Sequence, residues 1–316
     1  MSRLSYETAE TLVYDPVAAN RTGTRSLLYN IGFRRIETIA SIDSLAECIK
    51  RRPPDLALCE AQGAEDELCT LIQNVRQGTA GYNPFIVIIV TAWENSNSLV
   101  GRVLNSGADD LLLRPFSTTL LSQRINTHIE RRKGFVITSE YVGPDRRKDS
   151  TRPSNVELFE PPNSLKMKVR ETLSPEEATE KLDAALRCAR EKLTAEKLRR
   201  DSFQICILWR LVQDHAPGSG KFGSLLEKVK FVTQSIERRC VDAEIIEAVD
   251  YCDSILGAVE GLELGVDRNA SMHLLGHAAL SLNQYFSPEK SNTDHLNEID
   301  ATVSIIKART QTAMAS

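Results

Sequence analysis

Between residues 11 and 132, short apolar runs alternate with longer amphipathic stretches. The runs are Thr11-Leu-Val-Tyr, Arg35-Ile-Glu-Thr-Ile-Ala, Leu56-Ala-Leu-Cys, Phe85-Ile-Val-Ile-Ile-Val and Asp110-Leu-Leu-Leu. Each has the length of a strand, while the segments 17–31, 42–51, 64–77, 94–105 and 117–132 are long enough for helices. The last places Leu120, Leu121, Ile125 and Ile129 at helical spacing. Continuous apolar runs suit strands buried on both faces, so the pattern predicts an α/β unit with a doubly wound, five-stranded parallel sheet between helices.

The pattern changes after Arg132. Residues 133–170 contain Gly134, Gly143-Pro144, Pro153, Pro161-Pro162 and Asn163, with a basic cluster at Arg146-Arg147-Lys148. This predicts a basic Pro/Gly linker, with room for a short strand at Phe135-Val-Ile-Thr. Beyond it, Ser174 is placed to cap a helix, with Glu177 three residues on. Helices are expected at 174–199, 201–214, 221–239, 242–260, 269–285 and 291–312, punctuated by Pro217-Gly218, Gly261, Gly265 and Pro288. The chain therefore divides into an α/β domain over 1–132, a linker over 133–170 and a separate all-α domain over 171–316.

Composition narrows the function classes. With 316 residues, 41% hydrophobic and 26% charged, the chain has ordinary globular usage. Its formal net charge of -4 supplies no global field for nucleic acid or anionic lipid. Seven cysteines show no CxxC pair or regular framework, as expected of reduced thiols in a cytoplasmic protein. The first residues carry no apolar leader, and the longest apolar run, Phe85 to Val90, is too short to span a bilayer, so neither export nor a membrane anchor is expected.

Ligand sites of open parallel sheets lie at the carboxyl ends of the strands. Here those positions hold Asp15-Pro16, Glu60, Thr91-Ala92 and Arg114-Pro115-Phe116. In order along the chain, Leu12-Val-Tyr-Asp-Pro, Pro54-Asp-Leu-Ala-Leu-Cys-Glu, Ile89-Val-Thr-Ala, Ser106-Gly-Ala-Asp-Asp and Arg114-Pro-Phe resemble the receiver domain of two-component response regulators. The resemblance covers residues 10–132 and implies a flavodoxin-like (βα)5 fold. It also implies an acidic pair and an Asp that hold Mg²⁺, the Asp accepting phosphate from a histidine kinase. A Thr or Ser and a Lys contact the phosphoryl oxygens.

The sequence departs from that pattern at most of the chemical positions. Asp15 matches one acid of the pair, but Pro16 replaces its neighbour and offers no side-chain oxygen. Glu60 stands at the phosphoacceptor position, Thr91 is intact, Arg114 replaces Lys, and Leu111 occupies the switch position where the family often has an aromatic residue. Mg²⁺ demands near-octahedral oxygen ligation, so loss of one acid and lengthening of another weaken its site. Displacing a reacting carboxylate by about 1 Å can cost about a hundredfold in rate. The expectation is a pseudo-receiver without a required cofactor. Glu60 either pairs with Arg114 through a bidentate contact or belongs to a vestigial pocket of solvated charges.

The helical half holds fewer chemical signals. His273 and His277 lie i, i+4 and could share a metal, but neither the metalloprotease Glu nor a third ligand accompanies them. Gly276-His-Ala-Ala-Leu is distantly similar to a phosphotransfer module, which makes His277 an alternative carrier of phosphate. Residues 170–316 contain 18 Lys and Arg against 23 Asp and Glu, which disfavours a DNA-binding output. There is no P-loop, no G-x-S-x-G and no cyclic-nucleotide-enzyme signature, so no enzyme is expected. The sequence is thus expected to encode an atypical response regulator that acts by protein–protein interaction through its helical domain, with a DNA-binding regulator as the alternative. Its partner would be a histidine kinase or another regulator, and the 94–132 face is a candidate homodimer surface.

Overall fold

The computed structural model describes residues 4–147, 158–170 and 175–315, with side chains of the last segment over 176–310. Lys148, Pro153 and the expected cap Ser174 lie outside the described residues. Five strands, β1 (Glu10–Tyr14), β2 (Arg35–Ile39), β3 (Leu56–Glu60), β4 (Val87–Ala92) and β5 (Asp110–Leu113), form one parallel sheet in the order β2-β1-β3-β4-β5. The helices between and after them are α1 (Ala18–Ile31), α2 (Ile42–Arg51), α3 (Glu65–Arg76), α4 (Asn97–Asn105) and α5 (Thr118–Glu130). This is the flavodoxin-like topology that the alternation predicts.

The central strands β3 and β4 are buried along their whole length. Alternate residues of the sheet serve two cores. Tyr14, Cys59, Ile88 and Val90 pack with Leu45, Leu68, Ile72 and Val103 from α2, α3 and α4. On the opposite face, Val13, Leu58 and Ile89 meet Leu28 of α1 and Leu121, Ile125 and Ile129 of α5. Helix starts are fixed by serines: Ser41, Ser96 and Ser117 each accept a hydrogen bond from the backbone N–H three residues on. Strand β4 begins two residues later than the apolar run and continues through Thr91 and Ala92, which pair with Leu112 and Leu113 of β5.

The segment expected as a linker is not one where it is described. A hairpin of β6 (Phe135–Ile137) and β7 (Val142–Pro144) is followed by α6 (Ser164–Arg170). Phe135 is fully buried, and Leu165 and Val169 of α6 join the same core as α1 and α5. Arg146 donates to the carbonyl oxygens of Ala108 and Asp109. Gly107, with φ +94°, leaves no room for a side chain because the Val142 carbonyl of the hairpin lies against it. Gly and Pro here mark tight turns on the sheet's flank rather than a free tether.

The helical part comprises α7 (Pro175–Gln213), α8 (Gly220–Asp242), α9 (Ile246–Leu264), α10 (Arg268–Phe286) and α11 (Asn292–Ala315). The two helices expected at 174–199 and 201–214 are one, α7. Its charged middle is satisfied along the helix: Glu196 pairs with Arg199 and Arg200, and Lys197 with Asp201. The chain divides into two compact units, Met1–Lys192 and Leu193–Ser316. The second has its own core of Ile205, Leu226, Ile236, Ile255, Leu275, Leu282 and Ile299 among others, drawn from α7 to α11.

Candidate functional site

The carboxyl ends of β1, β3, β4 and β5 bring Asp15, Glu60, Thr91 and Arg114 together. Parallel register sets Glu60 directly beside Thr91, and the two are joined by a hydrogen bond of 2.7 Å from Thr91 Oγ1 to Glu60 Oε2. Arg114 follows β5 and extends its guanidinium across the pocket. Its Nε donates to Glu60 Oε2 at 2.7 Å, and its terminal nitrogen donates to Asp15 Oδ2 at 3.1 Å and to Thr24 Oγ1 at 3.2 Å. The expected Glu60–Arg114 pair is present, but it is not bidentate: the guanidinium bridges two carboxylates.

These charges are not solvated. Asp15 and Glu60 are 0% and 1% exposed and the Arg114 side chain 10%. The remaining oxygens are also engaged, since Val17 N–H donates to Asp15 Oδ1 at 2.8 Å and Gln62 N–H to Glu60 Oε1 at 3.2 Å. Burial pushes the neighbouring Cys59 thiol up to about 12, with the Glu60 charge adding to it. Pro16 is exposed and supplies no ligand atom; Arg21 instead donates to the carbonyl oxygens of Asp15 and Pro16, at 2.6 and 3.0 Å, and fixes that loop.

An aromatic pair flanks the guanidinium, with the rings of Phe116 and Trp93 4.9 and 5.9 Å from its carbon. Leu111 is partly buried against the core under β5. The sequence names Asp15, Glu60, Thr91 and Arg114, and places Phe116 at the same strand end, but does not point to Thr24, Arg21 or Trp93. Thr24 had a signal: it is a polar residue four before the fully buried Leu28, on the inward stripe of α1.

The helical histidines are not assembled into a site. His273 and His277 are both exposed on α10. Among the described residues, no group of three His, Cys, Asp or Glu could hold a metal ion. None of the described helices is long and apolar enough to cross a membrane.

The N-terminal unit thus has a flavodoxin-like (βα)5 topology, a five-stranded parallel sheet in the order 2-1-3-4-5. Among solved structures, it is similar to a CheY-like response regulator receiver domain from Methanospirillum hungatei JF-1, with 20% identity and a TM-score of 0.35, over 39% of this chain and 95% of that one. A second is the receiver domain of a sensor histidine kinase from Pseudomonas aeruginosa PAO1, which holds a magnesium ion in its active-site cleft; identity is 21% and TM-score 0.34, over 38% and 95%. A third is an orphan response regulator from H. pylori, at 17% identity and TM-score 0.32, over 38% and 95%. No protein-family model and no curated protein matches the chain.

Proposed function

We propose that this chain is a bacterial signalling regulator of the response-regulator type whose receiver pocket is held closed by its own side chain. The observation that carries the reading is the single guanidinium of Arg114 shared between Asp15 and Glu60. The two oxygens it occupies are ones a divalent cation would need, and Pro16 offers no replacement, so the residues present do not fit Mg²⁺. Phosphoryl transfer depends on positioning and charge neutralisation around the acceptor. With Glu60 longer than Asp and already paired, the pocket transfers no phosphoryl group and stays in one conformation. The output is protein–protein contact through the helical unit with another signalling protein in the cytoplasm.

The test is calorimetric titration of the full chain with Mg²⁺ and then beryllofluoride. No heat of binding is expected for wild type or for Glu60→Asp, because Arg114 still occupies the pocket; Glu60→Asp/Arg114→Lys is expected to bind both. Saturable beryllofluoride binding by the wild type would sink the closed-pocket reading and direct attention to a phosphodonor.

A further inference from the structure

Helix α11 is anchored more lightly than its neighbours in the helical unit. Among its described side chains, His295, Ile299 and Val303 are the buried ones, a single stripe at i, i+4 and i+8. Helices α8, α9 and α10 bury seven, six and six residues. The ion pairs from α11 to α7, Arg210 with Asp300 at 3.1 Å and Lys307 with Asp214 at 2.7 Å, are open to solvent and add little. One of the three anchors is therefore an ionisable ring.

The ring of His295 is 3% exposed, and both of its nitrogens are engaged. Nε2 lies 3.2 Å from the Ser287 carbonyl oxygen, and Nδ1 lies 2.9 Å from Asn283 Nδ2. A carbonyl only accepts, so Nε2 carries the proton and Nδ1 is the lone pair that takes the Asn283 N–H. Ser202 holds the amide in that orientation, its hydroxyl donating to Asn283 Oδ1 at 3.3 Å. The set is complete for the neutral ring. A second proton, on Nδ1, points at the Asn283 NH2 group. Turning the amide round frees its oxygen for that proton but leaves an imidazolium charge buried without a carboxylate on it.

The charges on the surrounding elements are engaged elsewhere. On α7, Arg199 and Arg200 pair with Glu196, and Asp201 with Lys197 and Arg239. In the turn before α11, Glu289 faces Arg199, and Lys290 pairs with Glu298 of α11 at 2.6 Å. Asp294 accepts from the Ser291 hydroxyl, also at 2.6 Å. Helix α10 brings no charged side chain after Arg268, and its His273 and His277 are exposed. His295 also lies in the first turn of α11, where the helix dipole opposes a cation; its N–H donates to the Ser291 carbonyl that opens the turn. We infer that His295 is an acid-operated catch: the neutral ring holds α11 on the bundle, and protonation releases the helix and uncovers the apolar strip beneath Ile299 and Val303. The released form binds one more proton than the held form. Its population therefore rises about tenfold for each pH unit below about 6.5, where free imidazole charges, and the hold is complete above that range.

Hydrogen exchange of the full chain, followed by mass spectrometry between pH 7.5 and 5.0 and corrected for the intrinsic rate, tests this. Amides of α11 are expected to lose protection about tenfold per unit below about pH 6.5, while those of α8 and α9 keep theirs. His295→Gln, which offers an acceptor and a donor but does not titrate, is expected to give a flat profile. Asn283→Asp sets a carboxylate against Nδ1 and is expected to reverse the sign, with α11 better protected at pH 5.5 than in the wild type. That second variant decides the matter if glutamine fails to hold the helix at any pH. Protection of α11 that is indifferent to pH overturns the inference. So does an acid loss shared equally by α8, α9 and α11, or one that persists unchanged in both variants. None of these results depends on the state of the Arg114 pocket.

Discussion

Arg76 is fully buried, and its partners show what holds it there. It donates to the carbonyl oxygens of Gly107, Pro84 and Ile86, each at 2.8 Å, and to Asp109 at 2.7 Å. Arg132 grips the other Asp109 oxygen at 2.8 Å, and both guanidinium groups lie about the ring of Phe135, at 5.2 and 5.0 Å. Burial alone would raise the Asp109 carboxyl, but Arg132 and Arg76 outweigh it and bring it down to about 2. A carboxyl depressed on folding stabilises the protein above its ordinary value near 4 and loses that contribution as pH falls toward 2. The expected loss is about 2 kcal/mol, read as the change in urea midpoint across that window, and it should vanish in Asp109→Asn. At neutral pH Asp109→Asn leaves two buried cations facing each other and is expected to cost about 3–5 kcal/mol. In the helical unit, a Cβ on Gly276 would run into the Trp209 indole. Gly276→Ala is therefore expected to lower the melting temperature by several degrees despite the higher helix propensity of Ala, because overpacking costs about 1–3 kcal/mol. At this scale the sequence displays Asp15, Glu60, Thr91 and Arg114, since strand ends can be counted along the chain. It hides the Arg76–Asp109–Arg132 cluster and the place of Trp93 beside Arg114, which exist only once distant segments pack.

Among the elements, the sheet and its five helices are legible because each has its own period, and three of the helices start at a capping serine. Of the hairpin only β6 is legible, at the short strand expected from Phe135; β7 and α6 are not, since a three-residue strand and a seven-residue helix leave no periodic signal. What makes them structure is burial against a core built elsewhere: Leu165 at 0% and Val169 at 3% exposure sit with α1 and α5. Lys168 reaches Asp55 at the amino end of β3, at 2.8 Å, and Arg170 pairs with Glu130 of α5. Leu165→Ala is accordingly expected to destabilise the protein by about 2–5 kcal/mol in urea denaturation, the range for a buried leucine. A change within ±0.5 kcal/mol, the range of a surface substitution, would return this segment to the status of a tether. The continuous α7 carries a related lesson. Consecutive charges such as Arg199-Arg200-Asp201 look like a boundary in sequence, yet without Gly or Pro they pair along one helix and extend it.

Among the described residues, the buried clusters of the sheet draw on residues up to Val169, and that of the helical unit on residues from Leu198 to Val303. Each unit can therefore lose its packing without the other's core being opened. The chain also holds two tryptophans, and they are divided between the units. Trp93 is 47% exposed beside the Arg114 guanidinium, while Trp209 is 9% exposed against α10. The protein thus carries one optical probe for each half, differing in solvent contact and hence in emission colour. With Trp93→Phe only the helical half emits, and with Trp209→Phe only the half that holds the sheet. Denaturant titrations of the two variants would show two separate midpoints if each half melts on its own, and one shared midpoint if the 39-residue helix common to both transmits the collapse of either. The indole at the rim of the pocket reports, through its emission, any displacement of the Arg114 guanidinium beside it.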